Sequence, residues 1–211
     1  MKIQHLILLL AALASATSAA AQRVEVLPLA GLYRPIQSLP GVRDGEQRLG
    51  SRIDNAIVAG VAGEARLIGP FSARATVLRA SPDLLVYDST GPRRAPARVT
   101  ILAADLIVTG PRIAFVQPYL LLGTGTKHYA FSAAALGGAA AAEYADDRRD
   151  GVGHAGGGLK ANLGRIGASV EMSNYSSVFG SASEPGPGEP DASAERQHDL
   201  VYTVGLRVRV F

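Results

Sequence analysis

The sequence contains no cysteine. A disulfide framework is therefore excluded, and the fold must take its stability from elsewhere. No stretch beyond the first residues is apolar enough for a membrane-spanning helix, which needs about 20 residues. Charge of one sign is scarce as well: the formal net charge is +3, and the excess is spread along the chain. That gives no basis for a nucleic-acid partner. Phosphate loops are missing too. Gly123-x-Gly125 and Gly156-Gly157-Gly158 are not followed by a helix pattern.

What is present begins with an export signal. Lys2 precedes the apolar run at residues 6–14, and Ala19-Ala20-Ala21 supplies a cleavage site. Residues 1–21 read as a secretory signal peptide and 22–211 as one mature domain starting at Gln22. No cysteine follows the apolar core, so a lipoprotein anchor is not expected.

The other terminus sets the architecture. Leu200, Tyr202, Val204, Leu206, Val208 and Val210 share one face of an extended chain; Asp199, Thr203, Gly205, Arg207 and Arg209 share the other. The same period of two recurs upstream. Ile57, Ala59, Val61, Ala65 and Leu67 alternate with Val58, Gly60, Ala62, Glu64 and Arg66. Phe71, Ala73, Ala75 and Val77 alternate with Ser72, Arg74 and Thr76, and Ile166, Ala168, Val170 and Met172 with Gly167, Ser169, Glu171 and Ser173. Extended segments are expected at 23–33, 56–67, 71–79, 98–108, 113–129, 152–162, 166–175 and 198–211. Tight breaks at 68–70, 109–112 and 163–165 alternate with long polar connections at 34–55, 80–97, 131–150 and 176–197. The Pro/Gly/Glu-rich part of the last connection lacks apolar mass and is expected to be mobile.

Eight strands with short and long connections in strict alternation predict an all-β, eight-stranded antiparallel up-and-down transmembrane β-barrel. Its turns are periplasmic and short, and its outer loops long. The apolar faces then meet lipid. The opposite set falls inside: Glu64, Arg66, Arg74, Asp105, Lys160, Glu171, Arg207 and Arg209, with Gly60, Gly156, Gly158, Gly167 and Gly205 leaving room. The three carboxylates are expected to pair with Arg66, Arg74, Lys160 and Arg207, as a plug in a narrow lumen. The aromatics, among them Tyr33, Phe71, Tyr87, Phe115, Tyr129, Tyr175, Phe179 and Tyr202, fall near strand ends and read as interface girdles.

Catalytic patterns are weak. His154 points inward by parity, and Ser169, Ser173 and Glu171 lie on the neighbouring strand, but no nucleophile motif supports a hydrolase. Asp146, Asp147 and Asp150 could hold a hard cation, yet Arg148 and Arg149 stand between them and a solvated loop is the simpler expectation. No enzyme activity, cofactor or metal is expected.

The sequence resembles the small outer-membrane β-barrel proteins of Gram-negative bacteria, the class including the outer membrane protein A and X types. The resemblance rests on Pro118-Tyr119-Leu120-Leu121-Leu122-Gly123-Thr124-Gly125, on Ala168 to Tyr175, and on Gln197-His198-Asp199-Leu200 running into Gly205-Leu206. Where the class often ends its penultimate strand Arg-Asp-Tyr, this chain reads Ser173-Asn174-Tyr175. The resemblance implies a bacterial outer-membrane location, a monomer in outer-membrane lipid, and Phe211 as an assembly signal read by the barrel-assembly machinery. Phe211 stands one residue out of phase with the apolar face ending at Val210. The implied role is non-enzymatic: envelope integrity, surface contact or limited permeation. The alternatives are a lipid A-modifying outer-membrane enzyme and a soluble periplasmic β-barrel binding protein; the latter would bury Glu64, Arg74, Asp105 and Lys160 in an apolar core.

Overall fold

Side chains that alternate across a strand can satisfy lipid on one side and polar groups on the other only if the sheet closes on itself. The computed structural model closes it. Backbone is described for residues 23–37, 39–44, 47–88, 91–132, 134, 136, 141, 144–145, 147–179 and 195–210, and side chains over the same ranges except 39–49, 88, 178–179 and 195–196. The expected signal peptide, Asp146, most of the last connection and Phe211 lie outside the described residues.

Eleven strands are present among the described residues: β1 (Val24–Pro35), β2 (Leu39–Asp44), β3 (Gln47–Ile53), β4 (Ala56–Arg66), β5 (Phe71–Ala80), β6 (Asp83–Asp88), β7 (Gly91–Thr109), β8 (Val116–Phe131), β9 (Arg148–Leu163), β10 (Ile166–Phe179) and β11 (Glu195–Arg209). Eight of them form the barrel, ordered β7-β5-β4-β1-β11-β10-β9-β8 and closed by the β7–β8 pairing. All neighbours are antiparallel. The seam between first and last strands sets Glu25 opposite Arg209 and Val26 opposite Val208.

Two tight turns use glycine where the backbone needs a positive φ: Gly69 at 56° and Gly164 at 70°. The break after β7 is longer than expected. It runs to residue 115, includes Ala114 at φ 55°, and is closed by an Ile113–Val116 bridge.

The outer end departs from the sequence reading. The first two connections are not wholly loops: β2, β3, β6 and the start of β7 form a sheet continuing the barrel wall, in the order β2-β3-β6-β7. The reason is Leu84-Leu85-Val86, three successive side chains that are all buried. A strand covered on both faces shows an apolar run rather than alternation. Leu84, Val86, Ile53, Ala95, Leu136 and Tyr144 belong to one apolar cluster with Leu27, Leu29, Val58, Leu78, Val99 and Ile101 of the barrel strands. Tyr144 donates to Ser51 Oγ (2.8 Å) and Arg93 Nη1 to the Leu136 carbonyl (2.7 Å), tying the connection after β8 onto this extension.

Outside, Ile57, Leu120, Leu122, Leu163, Val204 and Leu206 are all more than half exposed, in an apolar belt around the wall. Soluble monomers rarely expose so large an apolar patch; facing hydrocarbon, it needs no other cover. The aromatic expectation is corrected in part. Tyr33, Tyr129 and Tyr175 face the lumen and are buried, because their parity matches the inner set; Phe71, Phe115 and Tyr202 are exposed.

Candidate functional site

The lumen holds the polar chemistry of the chain, stacked in three levels. At the turn end Glu64 on β4 gathers three cations. Arg74 Nη2 lies 3.0 Å from Glu64 Oε2, Arg207 Nη2 lies 3.3 Å from the same oxygen, and Lys160 Nζ lies 3.4 Å from Oε1. Arg74 on β5 reaches across to Glu171 on β10, which also accepts from the Tyr119 hydroxyl (2.7 Å) and Ser173 Oγ (2.9 Å). Tyr119 lies under two of these cations, with Arg74 Cζ 5.4 Å and Lys160 Nζ 5.8 Å from its ring centroid. Lys160 also donates to Thr109 Oγ1 at 3.1 Å. Arg207 is paired with Glu25 of β1, and Arg209 Nη2 lies 3.8 Å from Glu25 Oε1.

The structure thus brings together Glu64, Arg74, Lys160, Glu171 and Arg207, with Arg209 at the edge. Two expected members behave differently. Arg66 joins no carboxylate among the described residues; it is exposed at the end of β4, where its Nε and Nη2 donate to the Gly69 carbonyl (3.3 and 3.1 Å). Its long side chain sits at the rim and folds back on its own turn. Among the described residues Asp105 pairs with neither Arg nor Lys. Its Oδ1 lies 2.6 Å from His154 Nδ1, forming a middle level. His154 stacks on Tyr175, centroids 3.9 Å apart. With Nδ1 on a carboxylate, the Nδ1–H tautomer is favoured. A serine nucleophile would need its hydroxyl within about 3 Å of Nε2; Nε2 has no partner among the described residues, and Ser173 is engaged by Glu171.

The outer level was not anticipated. Lys127 of β8 and Asp199 of β11 form an ion pair with both side chains wholly buried. Tyr129 covers the pair, its ring centroid 5.0 Å from Lys127 Nζ and its hydroxyl donating to Gln197 Oε1 (2.8 Å).

Glycines let these partners meet across an intervening strand. Gly123 stands between Asp105 and His154 in register, and Gly158 between Tyr119 and Glu171. A Cβ on Gly158 would lie 2.7 Å from the Tyr119 hydroxyl and 2.3 Å from the Val170 carbonyl oxygen. Gly158→Ala is therefore expected to push Tyr119 off Glu171 and lower the stability of the refolded barrel by about 1–3 kcal/mol. Adding Tyr119→Phe to Gly158→Ala is then expected to cost nothing further. A full second loss in urea-unfolding midpoints would show that the hydroxyl had kept its bond.

The described residues of the acidic connection form no cation cage. Asp147 Oδ2 is 3.5 Å from His128 Nε2, and Asp150 lies within β9, its Oδ1 3.4 Å from Arg148 Nε. Among the described residues no group of three or more His, Asp or Glu side chains could hold a metal ion.

A closed antiparallel barrel, apolar outside and charged inside, defines a transmembrane protein of the outer-membrane type. No protein-family model matches the chain, and neither does any curated protein. Solved structures do match. The outer membrane protein OprG of Pseudomonas aeruginosa aligns over 90% of this chain and 96% of its own, at 13% identity and a TM-score of 0.57. Ail, the attachment invasion locus protein of Yersinia pestis, in complex with the heparin analogue sucrose octasulfate, covers 89% of this chain and 97% of its own, at 10% identity and a TM-score of 0.49. At these identities the likeness is one of fold. The chain has the fold of the small Gram-negative outer-membrane barrels, and its apolar belt belongs in that membrane.

Proposed function

We propose that this barrel is a non-conducting, non-enzymatic component of the outer membrane, serving envelope integrity or surface contact as a monomer in lipid. The observation that carries the reading is the filled lumen. Charges at the turn end are paired across strands, a second ion pair closes the outer level, and an apolar cluster sits above it. An eight-stranded wall leaves little bore once side chains occupy it. The barrel-assembly machinery is the expected partner during insertion, and outer-membrane lipid the expected partner afterwards.

Heat-modifiable gel mobility of the outer-membrane fraction tests the folded barrel. Planar-bilayer recording of the same preparation tests the plug. The expected record is a shifted band together with no reproducible unitary conductance. Discrete, repeatable openings from protein with the shifted band would replace the plug with a pore.

A further inference from the structure

The outward face of the wall changes character toward its loop end. On β5 it is apolar from Phe71 to Val77 and then reaches Arg79; on β7 it is apolar from Val108 to Leu102 and then reaches Thr100 and Arg98. On β9 it ends in Arg149. All three arginines are exposed, and their parity places them on the lipid side of the wall, not in the lumen. The register sets them in one band. Arg79 lies opposite Thr100, Thr100 opposite His128 and His128 opposite Arg149, with Arg98 the next outward residue above Thr100. The band therefore runs along the upper edge of the apolar belt, at the end that carries the longer connections and faces the outer leaflet.

Among the described residues this band has no countercharge of its own. Arg79, Arg98 and Arg149 form no ion pair with a described carboxylate. The described carboxylates at this end are engaged by other cations: Asp54 and Asp83 by Arg94 (3.7 Å each), Asp147 by His128 (3.5 Å), Asp150 by Arg148 (3.4 Å) and Asp199 by Lys127. Like charges on neighbouring strands repel, so such a band is costly unless an anion from outside the protein sits among its members. Guanidinium groups match phosphate oxygens in pairs. Arg79 and Arg149 stand three strand spacings apart, about 14 Å, with Arg98 between them. That span suits a headgroup carrying two phosphates better than a single one.

The wall below Arg149 argues for a lipid and against a free anion. The outward face of β9 is bare there, reading Gly151, Gly153, Ala155 and Gly157. A Cβ on Gly151 would meet nothing within 4 Å. Lower down, the same strip opens into an apolar groove of about 580 Å³ between Leu120, Leu159 and Met172. Cations at the head of an apolar groove fit a molecule that is anionic at one end and hydrocarbon at the other.

We infer that the loop-end wall of β5, β7, β8 and β9 binds a phosphorylated glycolipid of the outer leaflet, of the lipid A type. Arg79, Arg98 and Arg149 hold its phosphates, and one acyl chain lies along β9. The inference rests on the outer-membrane reading above and names the lipid partner within it. It does not depend on the lumen being plugged.

The test uses the mature protein refolded in octyl glucoside with EDTA, so that no divalent cation bridges the phosphates. Bis-phosphorylated lipid A is titrated in, and the bound lipid is counted by native mass spectrometry. A saturable 1:1 complex is expected, and much weaker binding of the same lipid A after enzymatic removal of its phosphates. Arg79→Gln with Arg98→Gln should weaken binding more than about tenfold. Arg112→Gln with Arg165→Gln, exposed arginines at the turn end, should leave it unchanged. Equal affinity for the dephosphorylated lipid overturns the inference, as does wild-type binding by the Arg79/Arg98 variant or a loss confined to the Arg112/Arg165 variant. Each variant is first checked by heat-modifiability, which reports on the barrel, while bilayer recording reports on the plug. A failure of lipid A binding is thus separate from a failure of either.

Discussion

Arg74→Leu is expected to cost the barrel about 3–5 kcal/mol, read as a fall in the urea midpoint of the refolded protein. Arg74 is the cation linking Glu64 on one wall to Glu171 on the other, and it is 4% exposed. Glu64 would keep Lys160 and Arg207. Glu171 would keep only the hydroxyls of Tyr119 and Ser173. The loss is thus mainly the penalty of a carboxylate left in the lumen without a countercharge. It follows that Glu171→Gln should return part of the stability when added to Arg74→Leu, although it destabilises the wild type. The expected coupling exceeds about 1 kcal/mol. Strict additivity of the two substitutions would mean that Arg74 stabilises by packing on Tyr119 and not through Glu171.

Asp199→Ala is the second large effect, also about 3–5 kcal/mol. It leaves the Lys127 ammonium wholly buried beside Tyr129 without its ion-pair partner, the remaining nearby carboxylate being Asp150, opposite it on β9. Buried pairs are often replaceable as pairs, because two apolar side chains remove both desolvation penalties together. Lys127→Met with Asp199→Leu is therefore expected to recover most of the loss, and to match or exceed the wild-type midpoint. A double variant as unstable as Asp199→Ala would show that the pair also fixes strand register at this level. Neither variant should conduct, since the apolar cluster of Leu84, Val86 and Leu136 lies beyond the pair.

The strands whose two faces differ most in polarity were the most legible in the sequence. In β4, β5, β10 and β11 a charged or small inner residue alternates with an apolar outer one, so both the strand and its phase could be read. β1 shows no such contrast. Leu27 and Leu29 point inward while Val26 and Leu32 point outward, because this part of the lumen is itself apolar. Glu25, the partner of Arg207, went unassigned for that reason. Leu84-Leu85-Val86 failed in the opposite way: covered on both faces, it has no alternation to detect. Lys127 could have been placed by counting in steps of two from Tyr119 through Gly123 and Gly125, but the run Leu120-Leu121-Leu122 hides the phase. The Asp105–His154 contact lay further out of reach. Its members are on strands separated by β8, and only the register at Gly123 brings them together.

The Glu25–Arg207 pair at the seam joins residues 182 positions apart in the chain. Local hairpins can form early from neighbouring strands, whereas this pair exists only once the first strand has met the last. It works as a latch and as a checksum. A β11 displaced by two residues along β1 would keep its apolar face toward lipid but would leave Glu25 with only one of the two arginines it now receives. Hydrophobic alternation cannot distinguish those two closures; the seam charges can. The chain therefore carries its own criterion for which closed cylinder counts as finished.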